Sequence, residues 1–288
     1  EMKGWPKLDG NLILYFEILL MGLFITMNAT DVEFQSMNSG NIISQFFAPM
    51  FEGYNVHLIE RTVWWAHIIG ILVFLNYLYY SKHLHILLAF PNTYYGSVKP
   101  KGQLDNLEAV TNEVKLMMDP DADPYAAVAE DAAAPDKFGA SDVQDLNWVQ
   151  LLNAYTCTEC GRCTSECPAN QTGKKLSPRK IMMDTRDRLV EVGKNIDANN
   201  GEFKLDGKQL LGDYITNEEL WACTSCNACV EACPVSIDPL SIIIEMRRYL
   251  VMEQSDAPME LNNMMSNIEN NGAPWPYNQM DRLNWKNN

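Results

Sequence analysis

The chain has 288 residues, 47% of them hydrophobic and 20% charged, with a formal net charge of −15. That surplus of acid argues against nucleic acid as a partner, because binding phosphates needs basic faces. At roughly 150 residues per domain the length points to two units.

Residues 1–10 are polar, with one Trp and two Lys, and read as an interfacial lead-in. The first residue is Glu, and no signal-peptide layout precedes the first apolar run. The expectation is therefore a part of a longer protein. Leu12 to Met27 is apolar except for Glu17 and Thr26, and Val63 to Tyr80 is a second such run with aromatic residues at both ends. At about 1.5 Å per residue each run just reaches across a hydrocarbon core of about 30 Å. Aromatic belts favour membrane spans over the competing reading, a pair of buried helices in a soluble protein. Lys3 and Lys7 precede the first run, Lys82, Lys99 and Lys101 follow the second, and Asn28 to Glu60 holds neither a Lys nor an Arg. The positive-inside rule then makes residues 1–90 a hairpin with both outer flanks cytoplasmic.

All four histidines, His57, His67, His83 and His85, lie in or beside the second run. Only Gly70 interrupts the helical pattern from about Leu58 to Phe90, so one long helix is expected. His67 and His85 are then five turns apart on one face, separated by about 27 Å along the axis. That layout suits one axial imidazole to each of two b-type haems stacked across a bilayer. The plainer readings are a hydrogen-bonded polar residue for His67 and an interfacial imidazole for His85. His83 is rotated about 160° from that face. Glu17 is a candidate for quinone protonation or for a bond to a neighbouring helix.

Residues 91–140 join the hairpin to a second module. Pro91 to Pro100 turns, Leu104 to Met118 has apolar residues at helical spacing, and Asp119 to Ala140 is an acidic linker rich in Ala and Pro. The expected module is 141–260. Ser141 to Tyr155 reads as a helix. Ser177-Pro178 opens another that Gly193 stops, and Asp238-Pro239 opens a third through about Met252. Thr216 and Glu219 offer a capping box. The Asn-rich tail, 261–288, is either a partner-docking segment or a strap on its own domain.

Within this module sit all eight cysteines. Cys157, Cys160, Cys163 and Cys167-Pro168 repeat the spacing of Cys223, Cys226, Cys229 and Cys233-Pro234, which is the C-x2-C-x2-C-x3-C-P run of [4Fe–4S] ligation. The fourth cysteine of such a run ligates the other cube. One cluster is therefore assigned to Cys157, Cys160, Cys163 and Cys233, and the other to Cys223, Cys226, Cys229 and Cys167. Zinc sites would want paired cysteines across a longer loop, and disulfides would be opposed by a reducing compartment.

With its two histidines on one helix the chain resembles the membrane cytochrome b subunit of respiratory nitrate reductase. The cysteine runs, with helices after Pro178 and Pro239, are similar to the C subunit of heterodisulfide reductase. The same helical ferredoxin occurs in anaerobic glycerol-3-phosphate dehydrogenase and fumarate reductase. The fusion through Ser81-Lys-His-Leu-His-Ile86 resembles bacterial membrane-bound iron–sulfur oxidoreductases of the heterodisulfide-reductase-like type. The resemblance implies a mainly α fold: a transmembrane hairpin, part of a larger cytochrome b-like bundle, plus an α-helical dicluster ferredoxin domain. It implies an inner-membrane subunit passing electrons between the quinone pool and a cytoplasmic partner. That partner is a CCG-domain or flavoprotein subunit, since this chain has no CCG motif. The alternative is a haem-free anchor that only tethers the ferredoxin. No Ser/His/Asp set, phosphate loop or dinucleotide fingerprint offers substrate chemistry.

Overall fold

The computed structural model describes residues 5–36, 42–100, 102–119 and 137–286, which are mainly helical and form no strand. Most of the acidic linker, together with Lys3 and Lys101, lies outside the described residues. The chain divides into two compact units, Glu1–Phe90 and Pro91–Asn288.

The first unit is a hairpin of α1 (Trp5–Thr30) and α4 (Val56–Leu78), joined through the short helices α2 (Val32–Ser36) and α3 (Ile42–Phe47). Both long helices have the length and apolarity to cross a membrane. They run antiparallel, with Phe16 stacked on Phe74 at 5.5 Å. Gly70 permits the close approach, because the Leu20 side chain occupies the space a Cβ would need. Little of either helix is covered inside the unit: Leu14, Ile18 and Leu19 on α1 and Ile69, Leu72 and Leu75 on α4 are all exposed.

The expected single helix from Leu58 to Phe90 does not form. Helix α4 ends at Leu78, and the chain turns through Tyr79–Ser81 before α5 (His85–Tyr94) begins. The cause is Asp9 on α1, fully buried. It accepts bonds from the Tyr77 hydroxyl, the Ser81 hydroxyl at 3.2 Å and the Lys82 amide at 2.9 Å. Ser81 is extended, and its oxygen accepts the His83 amide, so it starts a new helical turn instead of continuing the old one.

The second unit starts with α6 (Glu108–Met118) and centres on α7 (Trp148–Thr156), α10 (Pro178–Ala198) and α13 (Pro239–Met252). Between them lie α8 (Arg162–Ser165), α9 (Pro168–Gln171), α11 (Asn217–Ala222) and α12 (Ala228–Glu231); α14 (Met259–Asn271) and a 3-10 helix at Gln279–Lys286 follow. Ile181, Met182, Leu220, Ile242, Ile243 and Met246 form a sealed core, each worth about 1.5–3 kcal/mol over exposure. Ser177 and Asp238 cap α10 and α13, each followed by proline, and Thr216 with Glu219 makes the capping box of α11, as the sequence predicts.

Several boundaries differ: helix α5 runs through Pro91 to Tyr94 where a turn was expected, and α6 starts at Glu108 instead of Leu104. The segment Ser141 to Tyr155 is not one helix: Asp142 with Asp145, then Asn147 with Gln150, form two capping boxes that split it. Helix α10 runs past Gly193 to Ala198, since a glycine costs a helix only about 1 kcal/mol and tertiary packing outweighs it. Inside the core, Arg188 is fully buried and bonds Asp142 at 2.7 Å, Asp206 at 3.0 Å and the Lys208 carbonyl at 2.8 Å. That fork ties α10 to the two loops flanking it.

Candidate metal centre

Both cysteine runs fold alike because their backbones make the same excursions. The second residue after the first cysteine has positive φ in each, Glu159 at 59° and Ser225 at 55°. So does the residue before the short helix, Gly161 at 83° and Asn227 at 60°. Glycine and asparagine are the residues that reach this region most readily. The result curls each C-x2-C-x2-C stretch into a loop that closes on α8 or α12, and these two helices pack together. The curl also aims amides at sulfur: the Ser225 N–H donates to Cys223 Sγ at 3.4 Å, and the Glu159 N–H does the same for Cys157.

Cys223, Cys226 and Cys229 share the wall of one cavity with Cys167, which the chain delivers from the other run. Leu176, Leu240 and Ile243 supply apolar surface beside the thiols. Cys163 in turn feels the neighbouring Cys160 and Cys233. The structure thus brings each fourth cysteine to the opposite run. Burial is the chief influence on all four perturbed thiols, pushing Cys157 up to about 11 and Cys229 up to about 12, and raising Cys163 and Cys223 as well. Thiolates in such a setting need a positively charged occupant. Among the described residues no three His, Cys, Asp or Glu converge on a point that one ion would fill. Soft thiol donors spread around an apolar void fit an iron–sulfur cube better than a lone zinc.

Two arginines not singled out in the sequence stand behind these loops. Arg186 on α10 bonds Glu159 at 2.9 Å and lies near Cys157. Arg247 on α13 bonds the Leu220 carbonyl at 2.6 Å, the Cys223 carbonyl, and Ser225 Oγ at 3.3 Å, and stacks over Trp221. The signal was present: each arginine is the eighth residue after its helix-opening proline.

The histidines separate. His67 Nδ1 is 3.0 Å from the Leu20 carbonyl oxygen across the hairpin, and His85 Nδ1 is 2.7 Å from that of Lys82. Facing a carbonyl, each Nδ1 donates, which keeps the lone pair of the neutral ring on Nε2, the atom an axial ligand uses. The break after Leu78 puts the two on different helices, so the five-turn spacing no longer places them on one face. His83 Nε2 instead approaches Glu17 at 3.9 Å. His57 Nδ1 lies 3.9 Å from Glu60 and is largely exposed.

A family model described as the 4Fe-4S dicluster domain matches residues 156–237. The chain carries a 4Fe–4S dicluster domain. It is 33% identical over 251 residues to the probable iron-sulfur-binding oxidoreductase FadF of Bacillus subtilis, covering 77% of this chain and 33% of the relative. The EtfAB:quinone oxidoreductase of Syntrophomonas wolfei is 27% identical over 95% of this chain and 39% of its own length. A probable membrane-anchored ferredoxin of Chromohalobacter salexigens is 33% identical over 54% of this chain and 25% of its own. Subunits C and D of heterodisulfide reductases match as well. The chain is thus related to iron–sulfur oxidoreductases while spanning only 33% and 39% of the first two relatives. No solved structure matches it.

Proposed function

We propose that this chain is a membrane-anchored electron-transfer subunit linking the (mena)quinone pool to a cytoplasmic redox partner. The observation that carries the reading is that Cys167 lines one cavity with Cys223, Cys226 and Cys229, while Cys233 lies near Cys163 of the other run. Cys157, Cys160, Cys163 and Cys233 hold one [4Fe–4S] cluster; Cys223, Cys226, Cys229 and Cys167 hold the other. Each cluster supplies a one-electron couple when bound. Leu176, Leu240 and Ile243 lay apolar surface beside the second set, and the Glu159 and Ser225 amides bond to sulfur.

The relatives support both ends of the route, since one is named a quinone oxidoreductase and another a membrane-anchored ferredoxin. The hairpin's uncovered apolar faces suit lipid, and the lysine distribution supports a cluster module on the cytoplasmic side of a bacterial inner membrane. His67 and His85 offer Nε2 to b-type haem, with second axial ligands supplied by other helices. A CCG-domain or flavoprotein subunit is the partner, docked by the exposed aromatics of the tail, Trp275 and Trp285. The break between α4 and α5 favours a second reading, a haem-free anchor, because it removes the shared face.

Anaerobically purified full-length chain is expected to hold about eight irons and to be reduced by a quinol. Reduced-minus-oxidised absorption then separates the readings, since b haem gives α and Soret bands that clusters lack. About two irons or fewer, or zinc in their place, would leave no conduit.

A further inference from the structure

The two halves of the cysteine module superpose in sequence by fixed steps, and the steps expose an unequal charge. Cys157 corresponds to Cys223 and Glu159 to Ser225, 66 residues apart in each case. Pro178 corresponds to Pro239 and Arg186 to Arg247, 61 residues apart. Both arginines reach back to the same point of their own loop, the residue two after the first cysteine. There the halves part. Arg186 meets a carboxylate that is 4% exposed and, more loosely at 3.4 Å, the exposed Asp187, whereas Arg247 meets a hydroxyl and two carbonyl oxygens and touches no acid among the described residues.

We propose that positions 159 and 225 set the two clusters at different potentials, Glu159 cancelling Arg186 at the first while Arg247 acts uncancelled on the second. This rests on the two-cluster reading. Reduction adds one electron, hence one negative charge, to a cluster, and an uncompensated cation alongside favours that state. A guanidinium bonded to a buried carboxylate contributes little net field. The same guanidinium bonded to neutral oxygens keeps its charge, and burial strengthens the effect. One acid does face the second set, Asp238 near Cys229. It accepts the Ser241 amide at 3.0 Å as the cap of α13 and does not bond Arg247. It therefore opposes the arginine from a distance and does not quench it in contact.

The test is an EPR-monitored redox titration of the full chain in detergent, with iron content measured on every sample. Glu159→Gln is expected to raise the midpoint of one cluster. Arg247→Gln and Ser225→Glu are expected to lower the midpoint of the other. Each shift is about tenfold in the reduction equilibrium, or about 59 mV for one electron. Arg247→Lys keeps the charge and is expected to stay within about threefold of the parent. Should Arg247→Gln fail to load iron, Ser225→Glu and Glu159→Gln decide alone. Variants that keep about eight irons and leave both midpoints unmoved would overturn the proposal. So would Glu159→Gln and Arg247→Gln acting on one midpoint in the same direction. A parent chain with about two irons or fewer would instead sink the two-cluster reading beneath it.

Discussion

Leu14, Ile18 and Leu19 lie open on the hairpin, while Ile181, Ile242, Ile243 and Met246 in the cysteine unit are sealed from solvent. The polar groups are reversed as well. The hairpin hides one carboxylate, Asp9, and spends it on ending α4. The cysteine unit hides a whole guanidinium, Arg188, and satisfies it with two acids and a carbonyl. One unit relies on an outside medium for its apolar surface and the other makes its own interior. Removing one part of that contrast at a time puts it to the test.

The largest effect is expected at Cys167. Cys167→Ser should cost one cluster and leave about four of eight irons. Because the cavity groups it with the second run, the double variant Cys167→Ser/Cys226→Ala should lose no more iron than the single. A double variant that loses nearly all its iron would mean that each run closes on itself.

Next comes Arg188. Arg188→Met strands Asp142 and Asp206 in part-buried sites, and breaking such a pair from one side costs about 3–5 kcal/mol. The unfolding midpoint by circular dichroism should fall while the hairpin's membrane insertion stays intact. A pH series sharpens this. Bonding to Arg188 holds the Asp206 carboxyl down to about 2, against about 3.9 when unfolded. A depressed carboxylate contributes stability above about pH 4 that is lost as pH falls toward 2. The gap between parent and Arg188→Met should therefore narrow across that interval.

The hairpin should respond in the opposite way. Ile18→Lys sets a charge on an exposed face at mid-helix, costing insertion about 2.5–3.5 kcal/mol. Membrane fractionation should show the loss, with cluster absorption of the second unit unchanged. If Ile18→Lys destabilised the cysteine unit and left insertion alone, the contrast would fail.

How far the sequence foretold these features depends on how local their causes are. The cysteine spacing, the Ser177-Pro178 and Asp238-Pro239 starts and the Thr216–Glu219 box are contacts within a few residues, and the structure repeats them. The spacing also led to the expectation that Cys167 serves the other run, and Cys167 does line a cavity with Cys223, Cys226 and Cys229. The break after Leu78 was not legible. Its cause, Asp9, lies about seventy residues away, and nothing in Leu58 to Phe90 alone stops a helix. The Arg186–Glu159 pair was hidden for a different reason. It emerges only when the halves are aligned, and the two alignment steps differ by the length of the intervening turn.

The smallest expected effect compares one device in both settings. Thr216 caps α11, accepting the Glu219 amide, and α11 delivers Cys223 from its far end. Asn55 caps α4 in the same manner, its side chain accepting the Leu58 amide at 3.2 Å. Thr216→Ala should cost about 1 kcal/mol, because Glu219 is buried and its amide loses a partner that water does not readily replace. Leu58 is exposed, so water at the head of α4 can take over its amide, and Asn55→Ala should cost about half as much or less. Hydrogen exchange at the Glu219 and Leu58 amides reads both costs directly. Equal protection losses would mean that the head of α4 is as sealed as the head of α11, and that the hairpin has an interior of its own after all.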